Sequence, residues 1–383
     1  NAVHPGAEEM CDGIDSDCDG SEASGIATWN AGWMSREDVT DEMESGFFHR
    51  IEYGELKICS GMWRTRFEFE LSGIVATISP KVSIKGMGTV IIDGGDEGRL
   101  ITVGSGVEQM ELRDLVLRKG ASEQGAAIYA EALDLSMTNV QLYDNHSAGS
   151  GGAIYIEDGT IDMDSVDLLY NSASGYGAHG GAIHVDSGQI EGSIVSFRHN
   201  DASGMASGGA IFMRDGSVTL ADAEFSQNQA SYKGGAIMLG SGDLSLIDSL
   251  ADHNEAPLGG AFYIGGSVDL VGTQVADNAA SLGGGLYLDH QDGWQDVTCD
   301  ADGITGSGFV ENVAESKGGA VYLEQPIGTT WESSDCDWGT GSTDNGPADV
   351  GTPLYAFNAA DEADFSCTGY WCSGAVSLES ATE

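Results

Sequence analysis

Gly151-Gly152-Ala153-Ile154-Tyr155-Ile156-Glu157 is one copy of a phrase that recurs along the middle of the chain. Its Gly-Gly pair begins at Gly151, Gly180, Gly208, Gly234, Gly259, Gly283 and Gly318, with a weaker copy at Gly125. Successive copies lie 26, 29, 28, 26, 25, 24 and 35 residues apart. A period in that range marks a solenoid, in which each repeat is one coil stacked on the last.

A second phrase travels with the first, an apolar residue three positions ahead of an Asn. It occurs as Leu142 with Asn145, Leu168 with Asn171, Phe197 with Asn200, Phe225 with Asn228, Ala251 with Asn254, Val275 with Asn278 and Phe309 with Asn312. Asn and Gly tolerate positive φ, so the stretch predicts a corner. Stacked corners set Asn above Asn, where side-chain amides pair along the stack. After each corner the residues alternate with period two, as half-buried strands do. Residues 74–325 carry no 3.6-residue stripe. The expected fold is therefore all-β, a right-handed parallel β-helix. At a rung spacing of ~4.8 Å, roughly ten coils give a rod on the order of 50 Å long.

The pairing of GGA(I/L/V) with FxxN resembles the repeats of chlamydial polymorphic outer-membrane proteins and related bacterial β-helix surface proteins, over about residues 110–325. The resemblance implies a pectate-lyase-like solenoid fold and a cell-surface or secreted life, and it does not imply an enzyme. It does not extend to the C-terminal β-barrel of those proteins or to their export route. Four regions follow: an acidic segment at 1–25, an N-terminal cap at 26–73, the β-helix at 74–330 and a C-terminal cap at 331–383. Residues 35–45 read as a short helix begun by Ser35, and 55–71 as strands. The run from Glu55 to Gly61 is similar to the entry segment of many bacterial β-helix proteins.

Sixty-one acidic residues against fifteen Lys and Arg give a formal charge of −46. Such a surface repels nucleic acid and anionic membranes, which excludes both as partners. No stretch is long enough to span a membrane. Seven cysteines lie outside the repeats proper. Their clustering at the ends predicts disulfides in an oxidising compartment: Cys11 with Cys18, Cys367 with Cys372, and Cys299 with Cys336, leaving Cys59 over. The chain begins at Asn1, and the expectation is an extracellular protein whose signal peptide has been removed.

Asp15, Asp17 and Asp19 followed by Gly20 match the opening of a calcium loop. Ile26 stands where the bidentate Glu is expected, so Asp12 or Glu22 would have to complete the shell. The Cys-flanked segment also resembles the DGxDxDCDG motif of MopE-type bacterial surface proteins, which are described as metal-binding. Calcium is the expected ion, and the competing reading is a disulfide-closed acidic tail. A weaker acidic group, Asp337, Asp344, Asn345 and Asp349, lies among glycines in the C-terminal cap.

No catalytic residue is assigned. Lyase chemistry on a β-helix needs a basic residue beside the ion, and after residue 200 only Arg214, Lys233 and Lys317 remain. His199 and His253 each precede a ladder Asn, where corner geometry accounts for them. With the aliphatics of each strand turned inward, Tyr129, Tyr155, His184, Phe212, Met238, Tyr263, Tyr287 and Tyr322 form an outward column. Two readings compete. The stripe binds glycan, another protein or a neighbouring rod, or the stacking merely stabilises an exposed sheet. The sequence thus points to a non-catalytic adhesive or structural surface element that self-associates or binds a cell-surface glycan or protein. The alternative is a carbohydrate-active enzyme.

Overall fold

A computed structural model describes residues 81–289 (the Met87 side chain apart), 297–300 and 307–323. Beyond these it describes the backbone of short strands at 27–29, 32–33, 55–64, 69–71, 295–296, 329–334, 365–367 and 377–378. Every described element is a strand, and the fold is a parallel β-solenoid of about eight turns, somewhat fewer than the period suggested.

The strands Ile128–Tyr143, Ile154–Leu169, Ile183–Arg198 and Ile211–Ser226 pair side by side in parallel. Their register is fixed by the repeat itself: Ile128, Ile154, Ile183, Ile211 and Ile237 are successive partners, followed by Phe262, Leu286 and Val321. A slip of one residue would turn every aliphatic side chain to the opposite face. The inward positions form one continuous buried core from Val82 to Leu323, and each Ile, Leu or Val fully withdrawn from water contributes about 1.5–3 kcal/mol. Parallel pairing already joins Glu55–Arg64 to Lys81–Asp93, with an irregularity between Cys59 and Gly61. The Cys59 side chain and the expected helix at 35–45 lie outside the described residues.

The two glycines of each pair serve different needs. Gly151 sits at φ 67°, in the left-handed region where a Cβ is strained. Gly152 has no such φ, but a Cβ on it would lie 1.9 Å from the carbonyl oxygen of Gly181 on the next rung. Only a residue without a side chain lets the rungs close there.

The ladder asparagines do stack, and all seven from Asn145 to Asn312 are fully buried. Oδ1 of Asn228 accepts from the backbone N–H of Asn200 at 3.0 Å and from its Nδ2 at 2.9 Å, and Asn200 Nδ2 also donates to the Leu168 carbonyl at 2.9 Å. The same pattern runs from Asn145 through Asn278. One expectation is corrected. The left-handed residue at this corner is not the Asn but the one before it: Asp144, Tyr170, His199, Gln227, His253, Asp277 or Glu311. With its amide held by both neighbouring rungs, the Asn keeps ordinary backbone angles and the bend falls on its predecessor. A second left-handed column, Asp114, Asn139, Ser165, Ile194, Asp222 and Asp248, turns each strand earlier in the coil.

Candidate functional site

The aromatic positions share one register column: Tyr129, Tyr155, His184, Phe212, Met238, Tyr263, Tyr287 and Tyr322. Their rings stack. Centroids lie 5.5 Å apart for Tyr129 and Tyr155, and 4.8 Å for Tyr155 and His184, for His184 and Phe212, and for Tyr263 and Tyr287. Tyr322 continues at 4.9 Å, tilted. Met238 interrupts the rings.

The column is not an exposed stripe, which corrects the sequence expectation. Tyr155, His184, Phe212, Tyr263, Tyr287 and Tyr322 are buried, while Tyr129 and Met238 are half-buried. The cover comes mainly from the residue just before the Gly-Gly pair. Turning through the left-handed glycine, the chain brings that residue across the column, over the ring of the following rung. His179 stacks on Phe212 at 4.4 Å, and the Lys233 ammonium sits 4.0 Å from the Tyr263 centroid. Leu258 and Leu282 pack against the three C-terminal tyrosines. At the other end the Arg99 guanidinium lies 4.6 Å over Tyr129. Long side chains ahead of Gly-Gly were the available signal for this cover.

Two polar groups are built into the column. In the first, His184 Nε2 lies 3.0 Å from Asp186 Oδ1, and Arg214 bridges the same oxygen at 2.7 Å. Burial drives the His184 ring down to about 4, more strongly than Asp186 raises it. Burial also lowers His179, whose Nδ1 accepts from the Ser207 N–H at 3.1 Å. Tyr155 is pushed up to about 12 by burial and by the nearby Asp186 and Glu157. In the second group, Lys233 Nζ bonds the Tyr263 hydroxyl at 2.6 Å and that hydroxyl donates to Asp289. These arrangements leave the aromatic faces closed to a ligand.

Exposed apolar groups lie elsewhere: Ile194 and Ile247 on strands, Tyr170 at a corner, and a further set on the loops between the ladder Asn and Gly-Gly. Tyr176, Met205 and Tyr232 are 87%, 57% and 42% exposed. Their loops touch: the Gly177 N–H donates to the Gly204 carbonyl at 2.8 Å, and the Ala206 N–H to Ser231 Oγ at 2.8 Å. This ridge was not read from the sequence, because it falls where the repeat varies in length. A polar groove of about 540 Å³ runs beside Asp114, Asn139, Gln141 and Asp167, with Asn139 Nδ2 donating to Asp114 at 2.7 Å.

His199 and His253 occupy the left-handed corner, where the corner reading placed them. Cys299 is fully buried and disulfide-bonded, its partner lying outside the described residues. Asp12, Asp15, Asp17, Asp19 and Glu22 lie outside them too, as do Asp337, Asp344, Asn345, Asp349, Cys11, Cys18, Cys336 and Cys372. Cys367 is described only as backbone, on the strand Phe365–Cys367. Among the described residues no group of three or more His, Cys, Asp or Glu is placed to hold an ion, and no helix is long and apolar enough to cross a membrane.

Comparison with known families sharpens the ladder and corner. Residues 139–157 and 222–239 match the Chlamydia polymorphic membrane protein repeat. The repeat is a surface-protein repeat. Each match spans one ladder Asn and the Gly-Gly corner after it, Asn145 with Gly151 and Asn228 with Gly234. Residues 1–22 match a family model named for copper-binding MopE, described as a candidate metal-binding motif. No curated protein and no solved structure matches the chain. The two family matches suggest a surface or extracellular protein.

Proposed function

We propose that this chain is a secreted or cell-surface β-solenoid serving as a structural and adhesive element, with the Tyr176–Met205–Tyr232 ridge as its contact surface. The observation that carries this reading is the coincidence of the surface-protein repeat with the residues that build the rod. The buried column is the spine of that rod, and the loops ahead of it carry exposed rings suited to a glycan or protein surface. A charge of −46 directs the ridge toward neutral or cationic partners. Binding to intact cells and to a neutral-glycan array tests this. Replacing Tyr176, Met205 and Tyr232 together by Ala should abolish the signal, and unchanged binding would remove the ridge from the proposal.

The N-terminal motif supplies metal binding in this reading. Asp15, Asp17 and Asp19, with Asp12 or Glu22, form an all-oxygen set that suits calcium better than copper. Calorimetric titration of both ions into chelator-treated protein decides between them, and Asn at positions 15 and 17 should remove one binding event. Calcium held at one end would favour end-to-end association, which electron microscopy with and without calcium examines directly. The runner-up, a carbohydrate-active enzyme, is favoured by the polar groove with Asp114 and Asp167 on its walls. Release of unsaturated or reducing sugar from a polysaccharide panel, lost on Asp167→Asn, would support it.

A further inference from the structure

Among the rings of the aromatic column, His184 alone carries a basic nitrogen. It is 4% exposed and lies between Tyr155 and Phe212, each 4.8 Å away. Nε2 is committed to Asp186, while Nδ1 is buried with no hydrogen-bond partner. A neutral ring suffers only an unsatisfied lone pair there. A protonated ring presents a buried N–H with no acceptor. Asp186, on the same strand, is the nearby anion, but Arg214 from the following strand already engages it. From the preceding strand Glu157 faces the column beside Tyr155. The corner ahead of Gly180 adds His179, its ring centroid 6.4 Å from that of His184. His179 is also the cover over Phe212.

We propose that His179 and His184 form an acid-released clasp: when both rings take up protons, the Gly180 corner lifts from the middle of the column while the other rungs stay stacked. The lifted corner would uncover Phe212, a second sticky surface available only in acid.

The direction of the effect follows from burial. Both histidines bind protons less readily in the folded protein than the ordinary value of ~6.5. Their contribution to stability is therefore complete above that value. It is lost as pH falls toward about 4, where His184 titrates in place. Between those limits the opening equilibrium rises about tenfold per pH unit for each proton gained on opening. The rest of the molecule should respond the other way. Acid neutralises carboxylates and relieves the self-repulsion of a chain carrying −46, so a local loss in acid stands out against its surroundings.

Hydrogen–deuterium exchange of the full chain, corrected for intrinsic rate, from about pH 7 to about pH 4.5 tests the clasp. Peptides covering 176–186 and 207–213 should lose protection below ~6.5 by about tenfold per pH unit for each ring that titrates, about a hundredfold for both, while those covering 254–278 hold theirs. His184→Phe, which continues the ring column, should flatten that dependence. So should His179→Leu, which copies the residue before Gly-Gly at Leu258 and Leu282. The Leu variant keeps the test open if the Phe variant does not fold. A loss shared equally by all rungs, or one unchanged in both variants, would overturn the proposal.

Discussion

Two stacks run the length of this rod and obey different rules. The asparagine ladder repeats one residue type from Asn145 to Asn312, and each amide from Asn145 to Asn278 bonds the Asn of the next rung. The aromatic column, a short distance along the same coil, mixes Tyr, His, Phe and Met and is closed by covers as different as His179, Lys233 and Leu258. The ladder must bond buried backbone N–H and C=O groups, and the Asn amide does both with its acceptor oxygen and donor nitrogen. The column needs only flat or apolar shapes that exclude water. Uniformity thus marks the structural stack, and variety marks the one in which rungs differ in chemistry.

The comparison breaks first at the ladder. Asn200→Ala removes the acceptor for two donors of Asn171 and the donor to the Leu168 carbonyl, all buried. We expect a loss of about 4 kcal/mol in chemical denaturation. If the substitution were as mild as one on the surface, the ladder would not be the constraint described. In the column the largest expected effect lies at Tyr263. Tyr263→Phe takes away the hydroxyl between Lys233 and Asp289, with an expected loss of about 2 kcal/mol by the same measurement. Asp289→Asn in that background should recover part of it.

A smaller effect of opposite sign is expected at Met238, where the rings are interrupted. Met238→Tyr should join Phe212 to Tyr263 and add about 1 kcal/mol, raising the thermal midpoint. Destabilisation there would show that the gap relieves crowding. The smallest change belongs to the ridge. Tyr176→Ala should alter stability by no more than about 0.5 kcal/mol, since 87% of the residue faces solvent, and any effect should appear in binding instead.

Much of this was legible in particular residues. Leu142, Leu168 and Phe197 ahead of their asparagines identified the core column and the ladder, and Ile154, Ile183 and Ile211 identified the register. The left-handed corner was not legible. Asp144, Tyr170, His199 and Gln227 share no chemistry, and each is held there by the rungs above and below rather than by its own preference. The burial of the column was missed for a related reason. Alternation tells which residues leave the core, but not whether another part of the same coil then lies on them. The seating of the His179 ring on Phe212 depends on the turn at Gly180 and on the rung after it.

Contacts along the axis of the rod can be read from the residues alone, because in a solenoid each residue's neighbours are its own counterparts one period away. The Gly-Gly-Ala-Ile-Tyr phrase therefore contained both the core and the order of the ring stack. What lies across each coil is set by the folded backbone. Contacts between corner and strand depend on backbone angles at residues such as Gly180, so no comparison of like with like reveals them. For that reason the rings expected to face a partner are the buried spine of the rod, and Tyr176, Met205 and Tyr232 face outward in their place.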